Sequence, residues 1–129
     1  MEAQKFSIVI PSKNDEKIFY EHYFSVTKYL KSINLEFEII LVSNGSTAFN
    51  LDLVSDINDI NFLHLKISKS GKGLAIKHGI KNAKYENILF IDADFSVPIT
   101  EIEKFIKNDS FTKAVLIGSR RTPESINKD

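Results

Sequence analysis

Two aspartates end a short apolar run in the segment 86–98, which reads ENILFIDADFSVP. In an extended chain alternate side chains share a face, so Asp92 and Asp94 can point the same way while Ala93 points back. Two neighbouring carboxylates repel each other unless a cation lies between them. The pattern therefore favours a site where a hard divalent ion takes a few protein oxygens and leaves its other positions to phosphates and water. The alternative is a turn whose carboxylates cap the next helix or face water.

The Gly-Lys-Gly turn formed by Gly71, Lys72 and Gly73 is a second candidate site, in this case for an anion. The glycines let the backbone approach a ligand closely, and the helix that follows offers free N–H groups and the positive end of its dipole. Lys72 could add a cation. The turn does not fit a Walker loop, because Lys66 stands where Gly belongs and Gly73 where Ser or Thr belongs. A tight strand-to-helix connection without a ligand is the alternative.

Short apolar runs and amphipathic segments alternate along the whole chain. The runs predict strands at residues 6–10, 37–42, 61–67, 87–91 and 114–117. Apolar spacing predicts helices at residues 16–33, 51–57, 73–84 and 100–107. This alternation predicts an α/β fold with a doubly wound, mainly parallel sheet, in one domain that spans residues 1–129.

Two finer expectations concern how these elements pack. His64 is expected to be a half-exposed residue of a strand near the sheet edge, because no second His or Cys stands at a metal-binding spacing. In the helix after the Gly-Lys-Gly turn, the residues expected to pack inward are Leu74, Ile76, Ile80 and Ala83.

The ligand site of a doubly wound sheet lies outside the carboxyl ends of the strands, near the point where the strand order reverses. This rule gathers the segments 11–15, 43–47, 68–73 and 92–96 on one edge. Together they supply a carboxylate pair, an amide, hydroxyls and lysines. A single phosphate-bearing ligand would use all of these groups.

Composition excludes several classes of function. The 129 residues contain 17 Lys plus Arg and 17 Asp plus Glu, so no net field favours nucleic acid or an anionic membrane. The absence of cysteine excludes disulfides, thiolate metal sites and a cysteine nucleophile. No apolar run approaches the length of a transmembrane segment, and a cytoplasmic location is expected.

The chain resembles the N-terminal, donor-binding half of family-two inverting nucleotide-sugar glycosyltransferases in four segments that occur in order: SIVIPSKND, FEIILVSNGST, KSGKGLAIKHGIKNAKYENILFIDADFS and VLIGSRR. The third segment and the GSR that follows are similar to polyprenyl-phosphate and dolichyl-phosphate mannosyl- and glucosyltransferases. The resemblance covers Phe6 to Arg121. It implies a Rossmann-like fold of the GT-A type, truncated before the acceptor-binding part, with a nucleotide diphosphate-sugar bound across the strand ends.

The resemblance also implies roles for individual residues. Those that would contact the nucleotide are Pro11, Ser12, Asn14, Asp15, Asn44, Ser46, Gly71, Lys72 and Gly73. The Asp92-Ala93-Asp94 segment matches the DxD element, which binds the ribose and a Mg²⁺ or Mn²⁺ ion on the diphosphate. Asp94 is the first choice as metal ligand, and Asp92 is shared between metal and ribose. The ion would neutralise the leaving nucleoside diphosphate.

The chain departs from the family pattern in two respects. Where the family commonly reads DDGS or DNGS, this sequence has Ser43, Asn44, Gly45 and Ser46, so one charge is lost. The acceptor-binding half, which would carry the general base, is expected to be missing, and no catalytic base is assigned. The resemblance also implies that an antiparallel strand normally separates the fourth and fifth strands. Without it, the strand at 114–117 is expected to lack a neighbour and to promote self-association.

Three interpretations remain open at this point. The first is a glycosyltransferase that moves a hexose from a UDP- or GDP-sugar to a polyprenyl phosphate or glycan, which allows a peripheral location at the cytoplasmic face of a membrane. The second is a nucleotide-sugar-binding module without turnover. The third is a phosphatase of the haloacid dehalogenase type, with Asp92 as nucleophile and Asp94 as acid/base, although that motif normally follows the first strand of its fold.

Overall fold

Strands and helices alternate through residues 4–106 and 115–118, which a computed structural model describes. The elements are β1 (Lys5–Ser12), α1 (Glu16–Ser32), β2 (Glu36–Asn44), α2 (Ala48–Asp52), β3 (Phe62–Ile67), α3 (Lys72–Lys81), β4 (Asn87–Ile91), a 3₁₀ turn (Ile99–Glu101), α4 (Ile102–Ile106) and β5 (Val115–Gly118). Within this part of the chain, no helix has the length and apolar character that crossing a membrane requires.

The strands form one parallel sheet in the order β3-β2-β1-β4-β5. The central strand β1 pairs with β2 on one side and β4 on the other, so Ile8 lies opposite both Ile39 and Leu89. After β3 the chain returns to the other side of β1, and the strand order therefore reverses between β1 and β4. The predicted doubly wound parallel sheet is confirmed.

The fifth strand corrects one expectation. β5 pairs directly with β4 in a parallel register that runs from Ile88 opposite Val115 to Ile91 opposite Gly118. The strand at 114–117 was expected to lack a neighbour, but β4 is its hydrogen-bonded partner. β5 still forms one edge of the sheet, so self-association through a sheet edge stays a prediction.

The larger core lies between α1 and one face of the sheet. The buried side of α1 presents Phe19, Tyr23, Val26 and Leu30, as its apolar spacing predicts. The Phe19 ring stacks on Phe62 with centroids 5.9 Å apart. Burying large aromatic and aliphatic side chains in this layer fixes α1, and therefore the loop that precedes it, against the sheet.

The opposite face of the sheet is covered by α3, which corrects a second expectation. Leu74 and Ile80 were expected to point inward, but they are 43% and 39% exposed, and Ala75 and Gly79 are buried instead. A Cβ atom added at Gly79 would lie 2.5 Å from Cγ1 of Val9. The helix approaches the sheet so closely that only small side chains fit beneath it, which turns the larger ones outward. Ala83, also expected to point inward, does pack against this layer.

One predicted helix forms at different residues, and one predicted edge strand is confirmed. The helix expected at 51–57 forms at Ala48–Asp52, because Thr47 Oγ1 accepts a hydrogen bond from the backbone N–H of Asn50 and caps the helix at that point. β3 is the edge strand beyond β2, and His64 is half-buried on it, as expected.

Candidate functional site

A cleft of about 420 Å³ opens at the carboxyl ends of β1 and β4, where the strand order reverses. Its size falls within the range of small-molecule and cofactor sites. The residues that line it are Pro11, Ser12, Lys13, Asp15, Asn44, Ser70, Gly71, Lys72, Asp92, Ala93, Asp94 and Ser96. Polar and charged side chains predominate among them, which suits a charged, hydrogen-bonding ligand.

Most of the residues singled out from the sequence meet in this cleft, and three do not line it. Those three are Asn14, Ser46 and Gly73. The lining residues Lys13, Ser70 and Ser96 were given no individual role, although they lie within the segments 11–15, 68–73 and 92–96 that the sequence analysis gathered at this edge.

Asn14 and Ser46 hold two loops together beside the cleft. The backbone N–H of Asn14 donates to Ser46 Oγ at 2.9 Å, and Asn14 Oδ1 accepts from the backbone N–H of Thr47 at 2.9 Å. Asn14 has a φ of 63°, in the left-handed region that asparagine tolerates better than most residues. This arrangement positions the neighbouring residues Lys13 and Asp15, which do line the cleft.

A buried carboxylate beneath these loops was not anticipated. Glu16 is fully buried, and its Oε2 accepts hydrogen bonds from Ser43 Oγ at 2.6 Å and from Ser46 Oγ at 2.5 Å. Because an acidic residue at the start of a helix usually faces water, the sequence carried no signal for this burial. These two hydroxyls give the buried Oε2 atom hydrogen-bond partners within the protein.

His64 extends this network towards the edge strand. Its Nε2 lies 2.8 Å from Ser43 Oγ. The single hydroxyl hydrogen of Ser43 goes to the Glu16 carboxylate, so Nε2 of the neutral ring carries a hydrogen and donates to Ser43. Burial lowers the pKa of His64, and the nearby Lys66 lowers it further. The charge of Glu16 opposes these two effects without cancelling them, so the neutral form of the ring is favoured.

Asn44 joins the ends of β1 and β2 to the start of α3. Its side chain is buried; Nδ2 donates to the carbonyl oxygen of Ser12 at 2.8 Å, and Oδ1 accepts from the backbone N–H of Gly71 at 3.0 Å. Gly71 has a φ of 149°, a backbone conformation that residues with a Cβ rarely adopt. The turn is thus held in a shape that brings Lys72 to the cleft.

The carboxylates of the Asp-Ala-Asp segment lie on the other side of the cleft. Asp92 Oδ1 lies 3.3 Å from Lys72 Nζ, and Asp94 Oδ1 accepts from the backbone N–H of Ser96 at 3.0 Å. The pKa of Asp15 is raised, first by burial and then by the charges of Glu16, Asp94 and Asp92. Negative charges therefore converge on the cleft from both β1 and β4.

Two carboxylates of the cleft could contribute oxygens to a divalent cation whose other ligands come from a bound substrate and water. Among the described residues, no group of three or more His, Cys, Asp or Glu side chains could hold a metal ion. Asp92 and Asp94 supply carboxylate oxygens, the donor type that Mg²⁺ and Mn²⁺ prefer. The remaining positions around such an ion would be open to phosphate oxygens and water.

Comparison with known proteins gives relatives that act on sugars. The chain is 29% identical, over 137 aligned residues that cover 95% of it and 41% of the relative, to a dolichyl-phosphate beta-glucosyltransferase of Trichomonas vaginalis. It is 35% identical over 80 residues, 57% of the chain and 19% of the relative, to a poly-beta-1,6-N-acetyl-D-glucosamine synthase of Staphylococcus epidermidis. It is also 29% identical over 106 residues, 79% of the chain and 32% of the relative, to an undecaprenyl-phosphate 4-deoxy-4-formamido-L-arabinose transferase of Proteus mirabilis. The chain thus spans less than half the length of each of these relatives.

The family model described as "Glycosyl transferase family 2" matches residues 7–128. The match includes every segment that contributes to the cleft, from Pro11 at the end of β1 to Ser96 after β4. The resemblance noted in the sequence and this match point to the same family. The chain belongs to glycosyl transferase family 2.

Proposed function

We propose that this protein is an inverting glycosyltransferase that binds a UDP- or GDP-sugar in the cleft and transfers its hexose to a polyprenyl phosphate or glycan acceptor. The observation that carries the proposal is that Asp92 and Asp94 face the Gly71–Lys72 turn across one cleft at the strand ends. Carboxylates for a cation and a lysine for phosphates are the groups that a nucleoside diphosphate requires. The names of the relatives support sugar transfer and lipid-phosphate or glycan acceptors.

Different residues of the cleft would bind different parts of the nucleotide-sugar. In this proposal Asp94 and Asp92 hold a Mg²⁺ or Mn²⁺ ion, which would neutralise the leaving diphosphate. Lys72 adds positive charge on the opposite side, and Pro11, Ser12 and the loop after β1 contact the base and ribose. Asn44 holds the loops around the nucleotide in place and does not hydrogen-bond to the base, since both ends of its amide are hydrogen-bonded to the protein.

The acceptor side of the reaction is assigned less fully. No described residue is assigned as the general base on the acceptor hydroxyl. Transfer to a polyprenyl phosphate would take place at a membrane surface, so this acceptor implies a peripheral location there. A phosphatase of the haloacid dehalogenase type is disfavoured, because the Asp-Ala-Asp segment follows β4 rather than β1.

Calorimetric titration tests the donor site. UDP, GDP and their sugars are titrated into the protein with and without Mn²⁺, using wild type, Asp94→Asn and Asp52→Asn. The last variant removes the same charge from an exposed position on α2. We expect one nucleotide to bind only with Mn²⁺, and Asp94→Asn to weaken this binding by about tenfold or more, as loss of a charged ligand would. Asp52→Asn should bind as wild type does.

The outcome of this titration also decides between enzyme and binding module. Nucleotide binding that needs no metal and survives Asp94→Asn would contradict the proposed donor site. Binding that follows the prediction, without hexose transfer to any polyprenyl phosphate or glycan offered, would instead identify a nucleotide-sugar-binding module. Transfer is measured with a radiolabelled sugar donor.

A further inference from the structure

The ion pair between Lys72 and Asp92 links the two sides of the cleft. Lys72 Nζ lies 3.3 Å from Asp92 Oδ1, and the two side chains are 36% and 26% exposed. Both side chains remain partly exposed, so water screens the attraction between them in part. An ammonium group therefore lies against one of the two carboxylates proposed to hold the metal.

The backbone at Lys72 is fixed, whereas its side chain can move. Lys72 is the first residue of α3, and the preceding Gly71 is hydrogen-bonded through its N–H to the buried Asn44. The four-carbon lysine stem places a compact charge on a flexible arm. The ammonium can thus leave Asp92 and reach another anion in the same cleft without a change in the fold.

A divalent ion and this ammonium group compete for the same carboxylate. Two cations close to one carboxylate repel each other, so a metal ion that binds Asp92 must displace Lys72 or tolerate its charge. A metal ion that arrives alone gains few protein ligands, because the described residues offer no group of three or more metal-binding side chains. A nucleoside diphosphate changes this balance, because its phosphates give the displaced ammonium a new partner.

We propose that Lys72 acts as the resident counter-ion of Asp92 and moves to the nucleotide's phosphates when the metal binds, so that metal and nucleotide bind productively only together. This inference rests on the proposed function. It gives Lys72 two anionic partners, Asp92 in the ligand-free protein and the phosphates in the complex. Its removal should therefore change the two binding events in opposite directions.

The test measures Mn²⁺ binding in the absence of nucleotide, from the electron paramagnetic resonance signal of the free ion. The variants are Lys72→Met, which keeps the length of the side chain and removes its charge, Lys72→Arg, which keeps the charge, and Lys77→Met. Lys77 is an exposed residue of the same helix and controls for net charge. Circular dichroism confirms that each variant is folded.

We expect Lys72→Met to bind Mn²⁺ alone about tenfold more tightly than wild type, and to bind the Mn²⁺ complex of the nucleoside diphosphate about tenfold more weakly. Lys72→Arg and Lys77→Met should resemble wild type in both measurements. Unchanged or weaker binding of Mn²⁺ alone by Lys72→Met would overturn the inference.

Failure of this inference can be told apart from failure of the proposed function. If wild type binds the Mn²⁺ complex and Asp94→Asn does not, the proposed donor site is supported. The affinity of Lys72→Met for Mn²⁺ without nucleotide then tests the role of Lys72 separately. If wild type binds neither nucleotide under any metal condition, the donor site and the role of Lys72 are overturned together.

Discussion

Asn44 Oδ1 accepts a hydrogen bond from the backbone N–H of Gly71 at 3.0 Å, across 27 residues of sequence. The other end of the same amide donates to the carbonyl oxygen of Ser12 at 2.8 Å. The side chain is only 4% exposed, so water does not compete for these bonds. One amide group thus keeps the ends of β1 and β2 and the start of α3 in register at the mouth of the cleft.

The isosteric substitution Asn44→Asp tests this relationship. The carboxylate keeps an acceptor for Gly71 but places a second oxygen against the Ser12 carbonyl. The unmatched buried acceptors should lower the free energy of unfolding at pH 7 by about 1–3 kcal/mol. Burial and the facing carbonyl should also raise the pKa of the new carboxyl, because only its protonated form can donate to Ser12.

The sign of the pH dependence follows from that raised pKa. A carboxyl with a higher pKa in the folded state favours folding at low pH, and the benefit is lost as the pH rises through the folded-state pKa. The deficit of Asn44→Asp relative to wild type should therefore shrink as the pH falls from 7 to 5 in urea unfolding. Asn58→Asp, at an exposed loop position, is the control. A deficit of the same size at both pH values would contradict the prediction.

Gly79→Ala tests the close approach of α3 to the sheet. The added Cβ would lie 2.5 Å from Cγ1 of Val9, so the helix or the valine must move. We expect overpacking to cost about 1–3 kcal/mol, only partly offset by the roughly 1 kcal/mol that alanine gains over glycine within a helix. Chemical denaturation of the variant measures the net loss.

A double-mutant cycle with Val9→Ala identifies the cause of that loss. Removing the valine methyls makes room for the new Cβ, so the double variant should be more stable than the sum of the two single effects predicts. Lys77→Ala, at an exposed position of the same helix, controls for alanine substitution in α3. Simple additivity of Gly79→Ala and Val9→Ala would show that α3 has space above Val9.

A hydrogen bond from the Tyr23 hydroxyl fixes α1 to the loop before β3. The hydroxyl donates to Asp59 Oδ2 at 2.8 Å, and burial, together with this carboxylate, raises the pKa of Tyr23 well above its ordinary value of 10.0. The raised pKa stabilises the fold fully below pH 10, and this contribution is lost as the pH rises towards the folded-state pKa. Wild type should therefore lose stability steeply above pH 10.

Tyr23→Phe separates the hydroxyl from the ring. The variant should be less stable than wild type by about 0.5–1.5 kcal/mol at pH 7, because it loses the hydrogen bond, and should lose less stability between pH 9 and about pH 10.5. Tyr20→Phe is the comparison, since its hydroxyl donates to Asp56 at 3.2 Å in an exposed setting. Parallel stability curves for wild type and Tyr23→Phe above pH 9 would refute the assignment.

The parts of this fold that the sequence predicted well are those where large apolar side chains repeat with a clear period. The buried stripe of α1 and the bounds of β4 at Asn87–Ile91 agree with the pattern of large apolar residues. The rule that ligands bind at the strand ends then correctly predicted that Pro11, Asn44 and Asp92 lie in one cleft.

The parts that could not be predicted depend on contacts between distant segments. Hydropathy marks Leu74 and Ile80 as inward-facing, yet the helix lies so close to Val9 that Ala75 and Gly79 take that side. Glu16 looks like a solvated residue at a helix start. Its burial is stabilised by serines 27 and 30 residues later in the chain, and no local sequence pattern predicts these hydrogen bonds.

The position of β1 at the centre of the sheet has a consequence for the order of folding. β1 and β2 are joined by a single helix, whereas the pairing of Phe6 with Asn87 must close a much longer loop and is expected to form later. A chain emerging from the ribosome can thus assemble β1, α1, β2 and β3 while Asp92 and Asp94 are still unplaced. Only completion of β4 creates the cleft, so a ligand bound there would stabilise the finished fold and no earlier intermediate.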